Sequence, residues 1–146
     1  MFQLSIAALV FATLFAGAAL YISLVEHPAR LGLADGHLLA QWQPSYKRAL
    51  PIQSGLAIAG GATGLIVGYL SADWRWFAGS ILLLANWPFT LFIIMPVNKR
   101  LMATQVSEAG AESRAMLTRW GALHNVRSAL GAVTTLLFAW ALAAAG

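Results

Sequence analysis

Charged residues divide the chain into four long apolar windows. No charged side chain occurs over residues 2–25, 49–72, 76–98 or 128–146. A helix rises about 1.5 Å per residue and the hydrocarbon core of a bilayer is about 30 Å thick, so about 20 apolar residues can cross it. Backbone polar groups have no water partners in lipid, so we expect each window to be helical. The pattern predicts a single domain over residues 1–146, with spans at about 2–25, 45–71, 76–98 and 120–144.

Two long connections and one tight turn should join these spans. The first connection runs from Glu26 to Arg48, and we expect a short interfacial helix over residues 36–42 within it, capped by Asp35. Residues 73–75 form the turn between the second and third spans. The third connection covers residues 99–127, and from about Ser113 it should continue directly into the fourth helix, because good helix formers dominate it. The fold class is therefore all-α, an integral-membrane four-helix up-down bundle.

Composition excludes several classes of protein. Hydrophobic residues make up 60% of the chain and charged residues 10%, with a mean hydropathy of +0.72. A soluble domain carries roughly a quarter charged residues, so a soluble enzyme, a nucleic-acid module and a disordered tail are excluded. The net charge of +4 indicates no nucleic-acid partner, because the basic residues lie between apolar runs. Cysteine is absent, which excludes disulfides, thiolate ligands and a cysteine nucleophile.

The basic residues predict the orientation of the spans. Eight lysines and arginines lie in the first and third connections, and Arg75 alone lies on the opposite side. The positive-inside rule places both long connections in the cytoplasm and both termini outside.

Small residues predict a close helix contact. Gly60, Gly64 and Gly68 recur at four-residue spacing in the second span, which lets two backbones approach closely in lipid. The partner is another helix of the bundle or, alternatively, a second copy of the chain in a homo-oligomer.

Residues that can carry chemistry gather at one end of the predicted bundle. In an up-down bundle, the end of spans one and three meets the start of spans two and four. The residues at these four places are Glu26, His27, Trp42, Tyr46, Asn98, Trp120, His124 and Arg127. Trp120, His124 and Arg127 also share one helical stripe. We therefore expect one polar pocket at the cytoplasmic end.

Two kinds of chemistry suit this set. A histidine of near-neutral pKa can act as a general base, Arg127 can hold a phenolate or enolate, and Trp42, Tyr46 and Trp120 can stack on a quinone or aromatic ring. Alternatively, His27, His124 and Glu26 could bind a divalent metal. Purely structural interpretations also exist: Arg127 could snorkel to the interface, the tryptophans could form an interfacial belt, and Asn98 could be a helix C-cap.

Four short motifs at these positions resemble the anthrone oxygenase family of small four-span membrane proteins. They are Glu26-His27-Pro28-Ala29, Trp42 with Tyr46-Lys47-Arg48-Ala49, Pro96-Val97-Asn98-Lys99-Arg100-Leu101 and Trp120-Gly121-Ala122-Leu123-His124-Asn125-Val126-Arg127. The family usually has threonine where this chain has Val97. Fungal members oxidise an anthrone to an anthraquinone with dioxygen, without flavin or haem.

The resemblance implies roles for individual residues. His27 and His124 are candidate bases, Asn98 and Arg127 candidate holders of an oxyanion, and Trp42, Tyr46 and Trp120 the ring-binding wall. The hypothesis is a membrane-embedded oxygenase or related oxidoreductase, a cofactor-independent or metal-dependent monooxygenase, acting on a hydrophobic aromatic at the cytoplasmic interface. The alternative is a non-enzymatic membrane subunit that binds a metal, haem, quinone or lipid.

Overall fold

The computed structural model describes residues 1–145, and over that range the fold is all-helical, as predicted. The four long helices are α1 (Phe2–Leu31), α2 (Asp35–Ser71), α3 (Trp74–Ala103) and α4 (Ala111–Ala143). A single 3₁₀ turn, Val106–Glu108, lies between α3 and α4. Each long helix is long and apolar enough to cross a bilayer. The chain is therefore a multi-pass integral membrane protein.

The four helices form a square. Helix α1 packs against α2 and α4, and α3 packs against the same two helices, while the diagonal contact between α2 and α4 is slight. Large apolar side chains such as Leu14, Ile66, Phe92 and Leu136 remain exposed on the outside, as expected of a surface that faces lipid.

The glycine row of α2 lies inside this square. A Cβ at Gly60 would come within 2.8 Å of Leu83 Cδ2, and one at Gly68 within 3.2 Å of the Phe77 ring. Gly64 is equally crowded by side chains of α3 and α4. The predicted close contact within the bundle is therefore confirmed, while homo-oligomerisation through Gly60, Gly64 and Gly68 stays a prediction.

The connection between α1 and α2 is shorter than predicted. It comprises residues 32–34, and α2 is continuous from Asp35 through Pro44 to Ser71, so the separate interfacial helix over residues 36–42 was wrong. Burial explains the continuity, because Leu38, Leu39 and Trp42 pack into one apolar cluster with α3 and α4. Asp35 is not the N-cap either; its carboxylate accepts a hydrogen bond from Arg114 on α4.

The other two connections lie close to the predicted positions, although the turn between α2 and α3 is shorter than predicted because α3 already begins at Trp74. Ala72 adopts a left-handed conformation (φ 56°) and Asp73 caps α3 by accepting from the Arg75 backbone N–H at 2.9 Å. The Arg75 side chain also donates to Asp73 and thereby lowers the pKa of that carboxyl. Helix α4 begins at Ala111, two residues before Ser113, and runs uninterrupted to the opposite end of the bundle.

One π-helical turn interrupts α1 and another interrupts α3. Each turn ends two residues before a proline. They are Ile22–Glu26, before His27-Pro28, and Thr90–Ile94, before Met95-Pro96. Proline lacks an N–H and its ring clashes with the carbonyl four residues back, and the wider π turn relieves both problems. It also adds one residue to the helix.

The added residue decides which side chain of α1 points inward. The buried row Ala12 and Ala19 would continue to residue 26 at seven-residue spacing. After the π turn, His27 is buried and Glu26 is only half-buried. His27 keeps helical geometry, at φ −68° and ψ −45°, although it directly precedes Pro28.

Candidate functional site

An aromatic cluster joins the helices at one end of the bundle. The rings of Trp42 and Tyr46 on α2 stack in parallel, with centroids 4.9 Å apart and planes 4° apart. Trp120 on α4 meets Trp42 edge-on at 5.6 Å. Both tryptophans are buried, so the alternative of a lipid-facing belt was wrong for these two.

Trp120 also links the two histidines. Its ring centroid lies 5.2 Å from that of His27 and 4.9 Å from that of His124. The structure therefore brings His27, on α1, and His124, on α4, into contact with the same tryptophan.

His27 is packed against the backbone of α4. A Cβ at Gly121 would overlap its imidazole ring, so only glycine leaves room for this histidine. Both ring nitrogens are buried, and neither has a hydrogen-bond partner among the described residues. His27 is thus tightly held but unpaired.

His124 is oriented by two serines that the sequence analysis missed. It is 2% exposed, and its Nδ1 lies 3.1 Å from the Ser23 hydroxyl. Ser23 in turn shares a hydrogen bond of 2.8 Å with Ser128. The interaction at Nδ1 leaves Nε2 as the nitrogen available for proton transfer. The isolated serine near the end of the first apolar window was the available signal.

Arg127 is a buried cation without a carboxylate partner within residues 1–145. It is 8% exposed, and its Nε has no hydrogen-bond partner in that range. Its guanidinium carbon lies 5.6 Å from the ring centroid of Phe15. The snorkelling interpretation was therefore wrong. An unpaired charge at this depth is costly, so Arg127 is suited to bind an anion.

The carboxylate of Glu26 is held through one of its two oxygens. Its Oε1 accepts from Arg30, from Gln41 at 3.1 Å and from Ser45 at 2.7 Å. In the described part of the chain, no three His, Asp or Glu side chains converge into a group that could hold a metal. The predicted metal set of His27, His124 and Glu26 is therefore not assembled, because the π turn separates Glu26 from the inward face.

Asn98 lies within α3, not at its end, so the C-cap interpretation was wrong. Its side chain is 2% exposed, and Oδ1 is buried without a partner in the structure described. It faces the same space as Tyr46 and Arg127.

These side chains enclose a small cavity, which we call the polar cavity. It measures about 20 Å³, room for about one water molecule. Six of the predicted site residues line it: Trp42, Tyr46, Asn98, Trp120, His124 and Arg127. Three further polar residues also line it: Arg30, Ser45 and Gln53. His27 does not line this cavity and reaches it only through Trp120. Arg30 and Ser45 had not been predicted to line it, since their inward direction depends on the helix phase.

Comparison with known proteins supports the resemblance drawn from the motifs. A family model described as Anthrone oxygenase matches residues 42–137, about two thirds of the chain. Neither the curated proteins nor the solved structures give a match. The matched range contains the six predicted site residues that line the polar cavity and leaves out Glu26 and His27.

Proposed function

The chain belongs to the anthrone oxygenase family, and we propose that it is a membrane-embedded oxygenase for a hydrophobic aromatic substrate of the anthrone or hydroquinone type, working at the cytoplasmic interface. The observation that carries the proposal is the environment of the Arg127 side chain. A buried guanidinium that has no carboxylate partner within residues 1–145, beside a cavity with a histidine and an aromatic wall, suits a substrate that becomes an anion during the reaction.

The chemistry needs a base and an anion site. Removal of a proton from the central methylene of an anthrone gives an electron-rich enolate that reduces dioxygen. One anthrone and one dioxygen give one anthraquinone and one water: the methylene carbon loses two hydrogens and gains one oxygen atom, and the second oxygen atom leaves as water. Deprotonation and orientation are then the tasks left to the protein.

His124 is the favoured base within this proposal. It lines the polar cavity, and Ser23 engages its Nδ1, which directs Nε2 towards the substrate. Arg127 and the Asn98 amide hold the enolate oxygen. His27 acts as a positioning residue, because it contacts the cavity through Trp120.

The size of the polar cavity sets a further requirement. Pockets for drug-sized ligands occupy about 300–1,000 Å³, against about 20 Å³ here. A three-ring substrate therefore needs the site to open. Tyr46 is half-buried at the edge of the stacked wall, so a movement of this ring would widen the cavity with the least loss of packing.

Oxygen uptake by detergent-purified protein with an anthrone tests the proposal. After subtraction of spontaneous autoxidation, we expect His124→Ala to lower turnover by about 10²–10⁴-fold, the usual contribution of a general base. His37→Ala is the matched control, because His37 is exposed on α2. Added catalase should return no oxygen with anthrone, but should return half of it with a hydroquinone, which yields hydrogen peroxide.

Equal oxygen uptake by the wild type and the His124→Ala variant would overturn the catalytic role. Uptake no faster than autoxidation, together with saturable binding of a quinone, would favour the non-enzymatic subunit. Elemental analysis and an absorption spectrum of the same preparation test the metal and haem alternatives.

A further inference from the structure

A second and larger cavity lies between α2 and α3. It measures about 160 Å³, and we call it the lateral cavity. Its walls include Leu50, Asn86, Trp87, Thr90, Leu91 and Arg127. Leu50 and Arg127 also line the polar cavity, so the two cavities adjoin at these two side chains.

The lateral cavity lies at the depth of the hydrocarbon. Asn86 is about 18 Å along α3 from Trp74, at 1.5 Å per residue. Two of the lining residues reach the outer surface, since Trp87 is 45% and Leu91 44% exposed. A ligand that reaches this cavity from outside therefore comes through the lipid-facing surface and must itself be lipophilic.

Two buried oxygen atoms of α3 have no hydrogen-bond partner among the described residues. The Asn86 amide nitrogen donates to the Leu83 carbonyl at 3.0 Å, which leaves Oδ1 as an unsatisfied acceptor. The Thr90 hydroxyl is also unpaired, and both side chains are more than nine-tenths buried.

Thr90 lacks a hydrogen bond that most of the other threonines make within their own helix. Five threonines donate their hydroxyl to the carbonyl four residues earlier: Thr13, Thr104, Thr118, Thr134 and Thr135. Thr90 does not. A buried polar group without a partner is expensive, especially in lipid, so this pair of oxygens points to a ligand that supplies a hydroxyl.

We propose that the lateral cavity is a binding site for a lipophilic ring of the phenol class, whose hydroxyl donates to Asn86 Oδ1 while Thr90 provides a second hydrogen bond. A void of about 150 Å³ accommodates benzene in other proteins, so the volume fits one aromatic ring. Trp87 offers it a flat face. The binding of a ring in this cavity does not depend on the proposed function. Its later transfer to Arg127 does rest on the proposed function.

Binding of 4-fluorophenol, followed by ¹⁹F NMR on the full chain in detergent, tests the site. Fluorobenzene, which has the same ring without the hydroxyl, is the matched probe. We expect 4-fluorophenol to bind at least about fivefold more tightly, since one unsatisfied buried acceptor costs about 1 kcal/mol or more. Asn86→Leu should abolish this preference, and Thr90→Val should reduce it. Asn125→Leu, at an exposed position of α4, should leave it unchanged.

A second measurement covers the case in which Asn86→Leu misfolds. A diazirine-bearing phenol should label the segment that carries Trp87 and Leu91 in the wild type, and excess 4-fluorophenol should suppress the labelling. Labelling confined to other segments, or equal affinity for 4-fluorophenol and fluorobenzene, would overturn the proposal. His124→Ala should leave 4-fluorophenol binding intact even where it stops oxygen uptake, so failure of the oxygenase proposal and failure of this site give different results.

Discussion

Arg127→Met should stabilise the fold and abolish the reaction, a combination expected of a functional charge and not of a structural one. Arg127 is 8% exposed and has no carboxylate partner in the described chain, so the burial of its charge costs several kcal/mol. The cation–π contact with Phe15 at 5.6 Å returns about 1 kcal/mol. Methionine keeps most of the side-chain volume, so we expect a net gain of about 1–3 kcal/mol. Turnover should fall about 10²–10³-fold, as when a donor to an oxyanion is removed.

Thermal unfolding in detergent and oxygen uptake on the same preparation check both halves of this prediction. A gain of 1–3 kcal/mol corresponds to a rise of roughly 3–10 °C in melting temperature for a chain of this size. Arg30→Met is the opposing control, because it leaves the Glu26 carboxylate without its arginine and should lower the melting temperature. Arg119→Met, at an exposed position, should change neither quantity. If Arg127→Met lowers melting temperature and activity together, Arg127 is a structural residue and the reasoning is refuted.

Two further predictions concern packing and pH. Gly121→Ala should displace the His27 ring, for which a Cβ leaves no room, and should lower turnover about tenfold; Gly79→Ala, whose Cβ also meets a buried aromatic ring, should cost similar stability without loss of turnover. Asp73→Ala removes a helix cap and should cost about 1 kcal/mol at pH 7. Since Arg75 lowers the pKa of the Asp73 carboxyl in the folded state, its stabilisation is present above the unfolded value of about 4 and is lost as the pH falls through the lower folded value. The difference in melting temperature from wild type should therefore shrink under acid.

The adjoining cavities also bear on how a substrate reaches Arg127. The polar cavity has room for about one water molecule, whereas the lateral cavity has room for a ring. Arg127 lies in the wall of both. A lipophilic substrate would therefore reach Arg127 from the membrane side, through the lateral cavity, without passing through bulk water.

The sequence alone determined the membrane fold and the end of the bundle at which the candidate site lies. Four uncharged windows suffice to predict four spans. A charge in hydrocarbon is costly, and the bilayer thickness fixes how many uncharged residues a span needs. It also placed His124, Asn98 and Arg127 at one end, because antiparallel spans bring alternate termini together. The same argument placed Glu26 and His27 at that end, but it did not determine which of the two side chains points into the bundle.

Tertiary structure decided which side chains face the cavity and which are paired. The π turn before Pro28 turned His27 inward and Glu26 aside. A proline does not by itself specify such a turn, since Pro44 and Pro51 lie inside α2 without one. The engagement of Glu26 by Ser45, and the absence of such a partner for Arg127 within residues 1–145, depend on contacts between different helices. Such contacts follow from the rotation of each helix about its own axis, which the packing of the whole bundle fixes and the order of residues along one helix does not.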